Sequence, residues 1–140
     1  MKGYFCSWRY LQPIEGKLRH EFRFRRKVTE FASTFLTTSV PRGWNDSTFV
    51  RVGVHVRRGD YLTKKSVSQG ITVASKDYLY RAMSYFDKRY RQVQFIVASN
   101  DIGWCRKNIK PSSFNQKRVN ITFSVLLAAP RVQLLSLIHI

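Results

Sequence analysis

The sequence predicts an α/β fold built on a Rossmann-like parallel sheet, and three observations lead there. Segments with helical spacing alternate with short β-branched runs, in the order helix, strand, helix, strand, helix, strand. The first of those runs, Phe49 to Val56, has few polar breaks, as a strand covered on both faces does. The 140 residues are 44% apolar and 14% aromatic, which suffices for a core and argues against a disordered tail. That length fits one domain or a piece of a larger one.

The elements follow in order. From Ile14 to Leu36 the apolar positions Ile14, Leu18, Phe22, Val28, Phe31, Ala32, Phe35 and Leu36 mostly keep helical spacing. Arg19, Arg23, Arg25, Arg26 and Lys27 take much of the opposite face, with Phe24 out of place among them. Thr37 to Asp46, with Pro41, Gly43 and Asn45, reads as a loop. Phe49 to Val56 is the first strand, closed by Gly59 and Asp60, and Tyr61 to Val73 reads as a polar loop. Tyr78, Leu79, Ala82, Met83, Phe86 and Tyr90 form a second helical face; Ser75 suits its N-cap and Asp77 its first turn. Val93 to Ala98 is a second strand, ended by Ser99-Asn100-Asp101. A third helix spans Trp104 to Ile109 and stops before Pro111, and Val119 to Ser124 supplies a third strand.

Twenty-five Lys and Arg against eight Asp and Glu leave a formal charge of +17. Such an excess attracts polyanions: nucleic acid, an anionic membrane face or a phosphorylated substrate. The cations are dispersed, with local clusters at Arg23 to Lys27 and at Lys64 and Lys65. A small basic nucleic-acid-binding α/β domain is therefore one reading. A solvated helix face is the plainer account of Arg23 to Lys27. Two cysteines, Cys6 and Cys105, are too few for a disulfide framework or a zinc site. They could pair with each other, pair outside this chain or stay reduced. His20, His55 and His139 are far apart and no metal-ligand spacing is present, so no metal is expected. No GxxxxGK[ST] stretch exists, which disfavours a P-loop nucleotidase. No run reaches the length of about eighteen apolar residues that a membrane span needs, and no signal peptide is visible. Two glycosylation sequons occur, at Asn45-Asp46-Ser47 and Asn120-Ile121-Thr122.

The segment that carries chemistry is Val54-His55-Val56-Arg57-Arg58-Gly59-Asp60-Tyr61. Ligands of open parallel sheets bind beyond the carboxyl ends of the strands. A basic pair at such an end can meet a phosphate, and arginine does so through a bidentate fork. Gly59 allows a sharp turn or a close approach. Asp60 can pin one guanidinium and leave the other free. The same residues also fit a strand-end salt bridge beside a satisfied histidine. Arg58-Gly59-Asp60 spells an integrin-recognition triplet as well, but that triplet acts on an exposed flexible loop and here it follows a strand directly.

Three blocks resemble the galactoside α-1,2-fucosyltransferases, in order and in spacing. They are Gly3-Tyr4-Phe5-Cys6-Ser7-Trp8, Val52-Gly53-Val54-His55-Val56-Arg57-Arg58-Gly59-Asp60-Tyr61, and Phe95-Ile96-Val97-Ala98-Ser99-Asn100-Asp101 followed by Trp104-Cys105-Arg106. The resemblance covers about residues 1–124. It implies a partial lobe of a GT-B type glycosyltransferase, the type with paired Rossmann-like domains. The enzyme would move L-fucose from GDP-fucose to the 2-hydroxyl of a galactoside-terminated glycan, with inversion and without a metal or other cofactor. Arg57 would contact the β-phosphate and His55 would lie on the nucleotide side, while Arg58, Gly59 and Asp60 would support the motif, Asp60 by bracing Arg58. The acceptor's base is assigned to no residue. A non-catalytic relative that keeps only the sugar-nucleotide pocket is a further alternative. The family's setting would be the lumenal side of the Golgi membrane, with any anchor outside this chain.

At Val125 the chain departs from the family pattern. Its last six residues, Leu135-Ser136-Leu137-Ile138-His139-Ile140, are what CTG-TCT-CTT-ATA-CAC-ATC encodes, the end of a transposon-based sequencing adapter. Residues 1–124 are thus expected to form part of the nucleotide-sugar-binding region. Residues 125–140 are expected to be a shifted frame running into adapter, and the 140-residue chain by itself is expected to be inactive.

Overall fold

The computed structural model describes residues 7–45 and 49–124. Two 3₁₀ turns, Trp8–Tyr10 and Gln12–Ile14, lead into α1 (Glu15–Glu21) and α2 (Arg26–Thr38). Then come β1 (Val50–Val56), a 3₁₀ turn at Gly59–Leu62, α3 (Lys64–Ser68), α4 (Lys76–Arg89) and β2 (Val93–Ser99). α5 (Ile102–Asn108), a 3₁₀ turn at Pro111–Ser113 and β3 (Val119–Ser124) complete the described chain. The three strands form one parallel sheet in the order β1-β2-β3. Val50 to Val56 lie opposite Val93 to Ser99, and Val93 to Ala98 opposite Val119 to Ser124. Helical crossovers through α4 and α5 make this the expected Rossmann-like α/β arrangement.

The central strand carries the burial. Every residue of β2 is buried. Its alternate residues Val93, Phe95 and Val97 join Val52 and Val56 of β1 and Leu79, Met83 and Phe86 of α4 in one core, which Cys105, Ile109, Phe114 and Val119 extend. The intervening Gln94 points to the other face, where its amide nitrogen donates to the Ser39 carbonyl at 2.7 Å and its amide oxygen accepts from Arg51 Nε at 3.2 Å. Those bonds offset the cost of burying its amide. The expectation of a strand covered on both faces is met by β2 rather than β1. In β1 His55 is exposed and Val54 half-buried, because β1 has a strand neighbour on one side only among the described residues.

Caps behave as the residue types dictate. The Ser75 hydroxyl accepts from the Tyr78 amide at 3.1 Å and starts α4. At its other end Arg118 donates to the carbonyls of Asp87, Tyr90 and Arg91, satisfying orphan acceptors at the negative end of the helix. α5 starts two residues earlier than expected, because the Asp101 carboxylate accepts from the Trp104 amide at 3.1 Å.

Two other expectations fail. The single helix over 14–36 is broken at Phe22 to Arg25, between α1 and α2. A continuous helix would stack Arg19, Arg23 and Lys27 at i,i+4, where like charges repel. The break leaves Arg19 paired with Glu15, and Arg26 with Glu30, at 2.6 Å each. The polar stretch 61–73 is likewise no plain loop: α3 forms inside it, with Thr63 Oγ1 accepting from the Ser66 amide at 3.2 Å. α3 has no apolar period because none of its residues is buried.

Candidate functional site

The carboxyl ends of β1 and β2 lie side by side, since Val56 and Ser99 are register partners. This brings the stretch Arg57–Asp60 against Ser99–Asp101, two segments that share no local signal. The Ser99 hydroxyl donates to the Val56 carbonyl at 2.6 Å and accepts from the Asp101 amide at 2.9 Å, locking the two ends together.

The two arginines of the motif part ways here. Arg57 stays at the surface in a bidentate pair with Asp60: Nε donates to Oδ1 at 2.9 Å and Nη2 to Oδ2 at 2.8 Å. The Tyr61 ring lies 5.4 Å from the guanidinium carbon. The Asp60 carboxylate holds the Arg57 proton more tightly than usual, and the hydrogen bond from Arg57 keeps the Asp60 carboxyl below its ordinary range. Both side chains are about half exposed, so the pair contributes orientation more than stability. The carboxylate occupies the Nε/Nη2 side of the fork, and the Nη1/Nη2 edge remains the edge with which arginine grips phosphate bidentately.

Arg58 turns inward. Its guanidinium stacks on Trp104 at 3.8 Å, its Nε stands 3.6 Å from Asp101 Oδ2, and only 14% of its side chain is exposed. Asp60 therefore braces Arg57 and not Arg58, which corrects the expectation from sequence. Asp60 sits three residues from Arg57, the reach that a single 3₁₀ turn closes, while Arg58 is drawn away by an aromatic face and a carboxylate on α5 and its cap.

The backbone between them is held by Asn100. Its Oδ1 accepts from the Arg58 amide at 2.9 Å, and its Nδ2 lies 3.5 Å from Asp60 Oδ1. A Cβ on Gly59 would stand 2.5 Å from that Nδ2. The glycine thus admits a side chain of the protein itself. Asn100 and Trp104 received no role from sequence reasoning; the signal available was Ser-Asn-Asp directly after an apolar strand in a parallel fold.

The remaining residues lie apart from this network. His55 is exposed on β1 and borders, with Val52, Val54, Tyr78, Leu79 and Met83 among others, a mainly apolar cavity of about 40 Å³. Asn45 is exposed in the loop after α2, whereas Asn120 is half-buried in β3 and accepts from the Thr122 hydroxyl at 3.1 Å. Cys105 is a buried free thiol, and burial pushes its proton affinity up; Cys6 lies outside the described residues. Among the described residues no group of three or more His, Cys, Asp or Glu is placed to hold a metal, and no helix is long and apolar enough to cross a membrane. The tail from Val125 also lies outside them.

Comparisons with known proteins point one way. The chain is 41% identical over 113 residues to the galactoside alpha-(1,2)-fucosyltransferase 2 of Sus scrofa, covering 80% of this chain and 32% of that protein. Over 111 residues it is 41% identical to the protein of that name from Rattus norvegicus, covering 79% of this chain and 30% of that one. Against the galactoside 2-alpha-L-fucosyltransferase SEC1 of Bos taurus it is 36% identical over 112 residues, which cover 80% and 30% of the two chains. The chain spans about a third of the length of these relatives. No solved structure matches it. The profile of glycosyl transferase family 11 matches residues 1–135, which include the whole strand-end site and disfavour the nucleic-acid reading of the charge. With its parallel sheet, its strand-end arginines and this match, the chain belongs to glycosyl transferase family 11.

Proposed function

We propose that this chain is part of an inverting fucosyltransferase that moves L-fucose from GDP-fucose to the 2-hydroxyl of a terminal galactoside; its relatives are named galactoside alpha-(1,2)- and 2-alpha-L-fucosyltransferases. The observation that carries the reading is Arg57, clasped by Asp60 at the carboxyl end of a parallel strand. In an inverting transfer the acceptor oxygen bonds to the anomeric carbon as the bond to the phosphate oxygen breaks. The electron pair leaves with GDP, and a base takes the hydroxyl proton. Charge on the β-phosphate grows along this path, and a preoriented guanidinium stabilises it more in the transition state than in the ground state. Arg57 fills that role without a metal; His55 stands on the nucleotide side, Arg58 and Gly59 hold the turn, and Asp60 aims the fork.

The reading places the enzyme on the lumenal side of the Golgi membrane. Residues 1–124 form part of its nucleotide-sugar-binding region, and the tail that ends in Leu135 to Ile140 is a shifted frame running into adapter. Resequencing the transcript through residue 125 tests the second statement, and an intact genomic exon encoding Leu135 to Ile140 refutes it. The activity is tested with the full-length protein, GDP-fucose and a β-galactoside acceptor. Fucose on the galactose 2-hydroxyl is expected. Binding of GDP-fucose without transfer would mark a non-catalytic relative. Oligonucleotide binding that outcompetes GDP and weakens steeply with salt would mark a polyanion binder.

A further inference from the structure

We infer that Asn100 is a positioning residue for Arg57, acting across the sheet through Asp60 and through the backbone of Gly59. The inference rests on the reading of Arg57 as the phosphate contact. Arg57 takes its orientation from Asp60, and Asp60 lies in a turn whose backbone is bonded by the Asn100 side chain at the Arg58 amide. The turn presents two different needs within reach of one residue. The Arg58 amide offers a donor and the Asp60 carboxylate, besides its bonds from Arg57, a further acceptor position; asparagine has a group for each, and its orientation follows from them. Aspartate would answer the first need and set a like charge against Asp60. Gly59 belongs to the same device, because any Cβ there would drive into Nδ2.

The chemistry therefore depends on a residue 42 positions from the motif it serves. The test is a double-mutant cycle in the full-length protein, reading kcat/KM for GDP-fucose beside a melting curve. Asn100→Ala is expected to lower kcat/KM by about tenfold to a hundredfold through misplacement of the fork. In an Arg57→Ala background the same change should cost less than about twofold, because the residue it positions is gone. Asn100→Asp keeps the acceptor for the Arg58 amide, so it should melt near the parent and still lose activity. Gly59→Ala should reproduce Asn100→Ala and add little to it. Equal losses with and without Arg57, or an Asn100→Asp variant of full activity, would overturn the inference and leave the Arg57 reading standing. Should Arg57→Ala alone keep near-normal kcat/KM, the reading of Arg57 fails first and takes this inference with it.

Discussion

Two arginine-rich segments of this chain have the same kind of sequence and opposite physical situations. Arg23 to Lys27 spans the break after α1 and the first residues of α2, all exposed, with pairs among the described residues to neighbours three or four residues away, such as Arg26 with Glu30. Around it Phe22, Phe24 and Phe31 are 77%, 57% and 68% exposed, so no core fixes the segment. Arg57 and Arg58 follow β1, whose Val52 and Val56 lie in the core, and Asp60 in the next turn, Asn100 after β2 and Trp104 on α5 hold them in place. The difference shows that charge density does not make a site here. A cation becomes specific where a parallel sheet brings distant groups to its strand ends.

The largest expected effect tests whether the core behind the second segment is the rigid one. Phe95→Ala, at a fully buried position of β2, should cost about 3–5 kcal/mol by denaturant unfolding of the full-length protein. Phe31→Ala should stay within about 0.5 kcal/mol. If Phe31→Ala costs as much as Phe95→Ala, the face of α2 is covered in the longer protein and the contrast narrows to the arginines alone.

Next comes turnover. Arg57→Ala should lower kcat by about 10² to 10³, the scale of losing one preorganised donor to a developing anion. Arg57→Lys should recover only part of that, since a point charge lacks the planar fork. Arg26→Ala, in an exposed i,i+4 pair, should leave kcat unchanged. A loss at Arg26 as large as at Arg57 would abolish the comparison.

The clasp itself should matter less than the arginine it aims. Asp60→Asn should reduce kcat/KM for GDP-fucose by about tenfold with little change in melting, as for losing a charge-assisted pair in a half-exposed setting. The hydrogen bond from Arg57 holds the Asp60 carboxyl below its ordinary value of 3.8. The clasp is therefore complete above that value and is lost as pH falls below it. GDP-fucose affinity should stay flat down to that point and fall only in stronger acid, and Asp60→Asn should remove this acid limb. An affinity that declines already near neutrality would assign the titration to another group.

The smallest effect concerns modification rather than energy. In a secreting cell Asn45, in its exposed loop, should be glycosylated in preference to Asn120, which sits in β3 with its amide oxygen engaged. A mass shift that survives Asn45→Gln and vanishes with Asn120→Gln would reverse the assignment.

Much of this molecule is written in short-range signals. The β-branched runs at Phe49 to Val56, Val93 to Ala98 and Val119 to Ser124 announce strands, and Ser75 announces the start of α4, because propensity and capping act within about four residues. The strand-end location of the motif follows from the same signals. The break between α1 and α2 and the short α3 were hidden: cation repulsion opposes the apolar spacing in one, and a purely local cap makes the other without any period. Which arginine Asp60 would hold was hidden for a different reason. Arg57-Arg58-Gly59-Asp60 offers both guanidiniums to one carboxylate at nearly equal chain distance. The choice falls to Trp104, Asp101 and Asn100, which only the parallel pairing of β1 with β2 brings beside them, and pairing across a helical crossover leaves no trace within either strand's own residues.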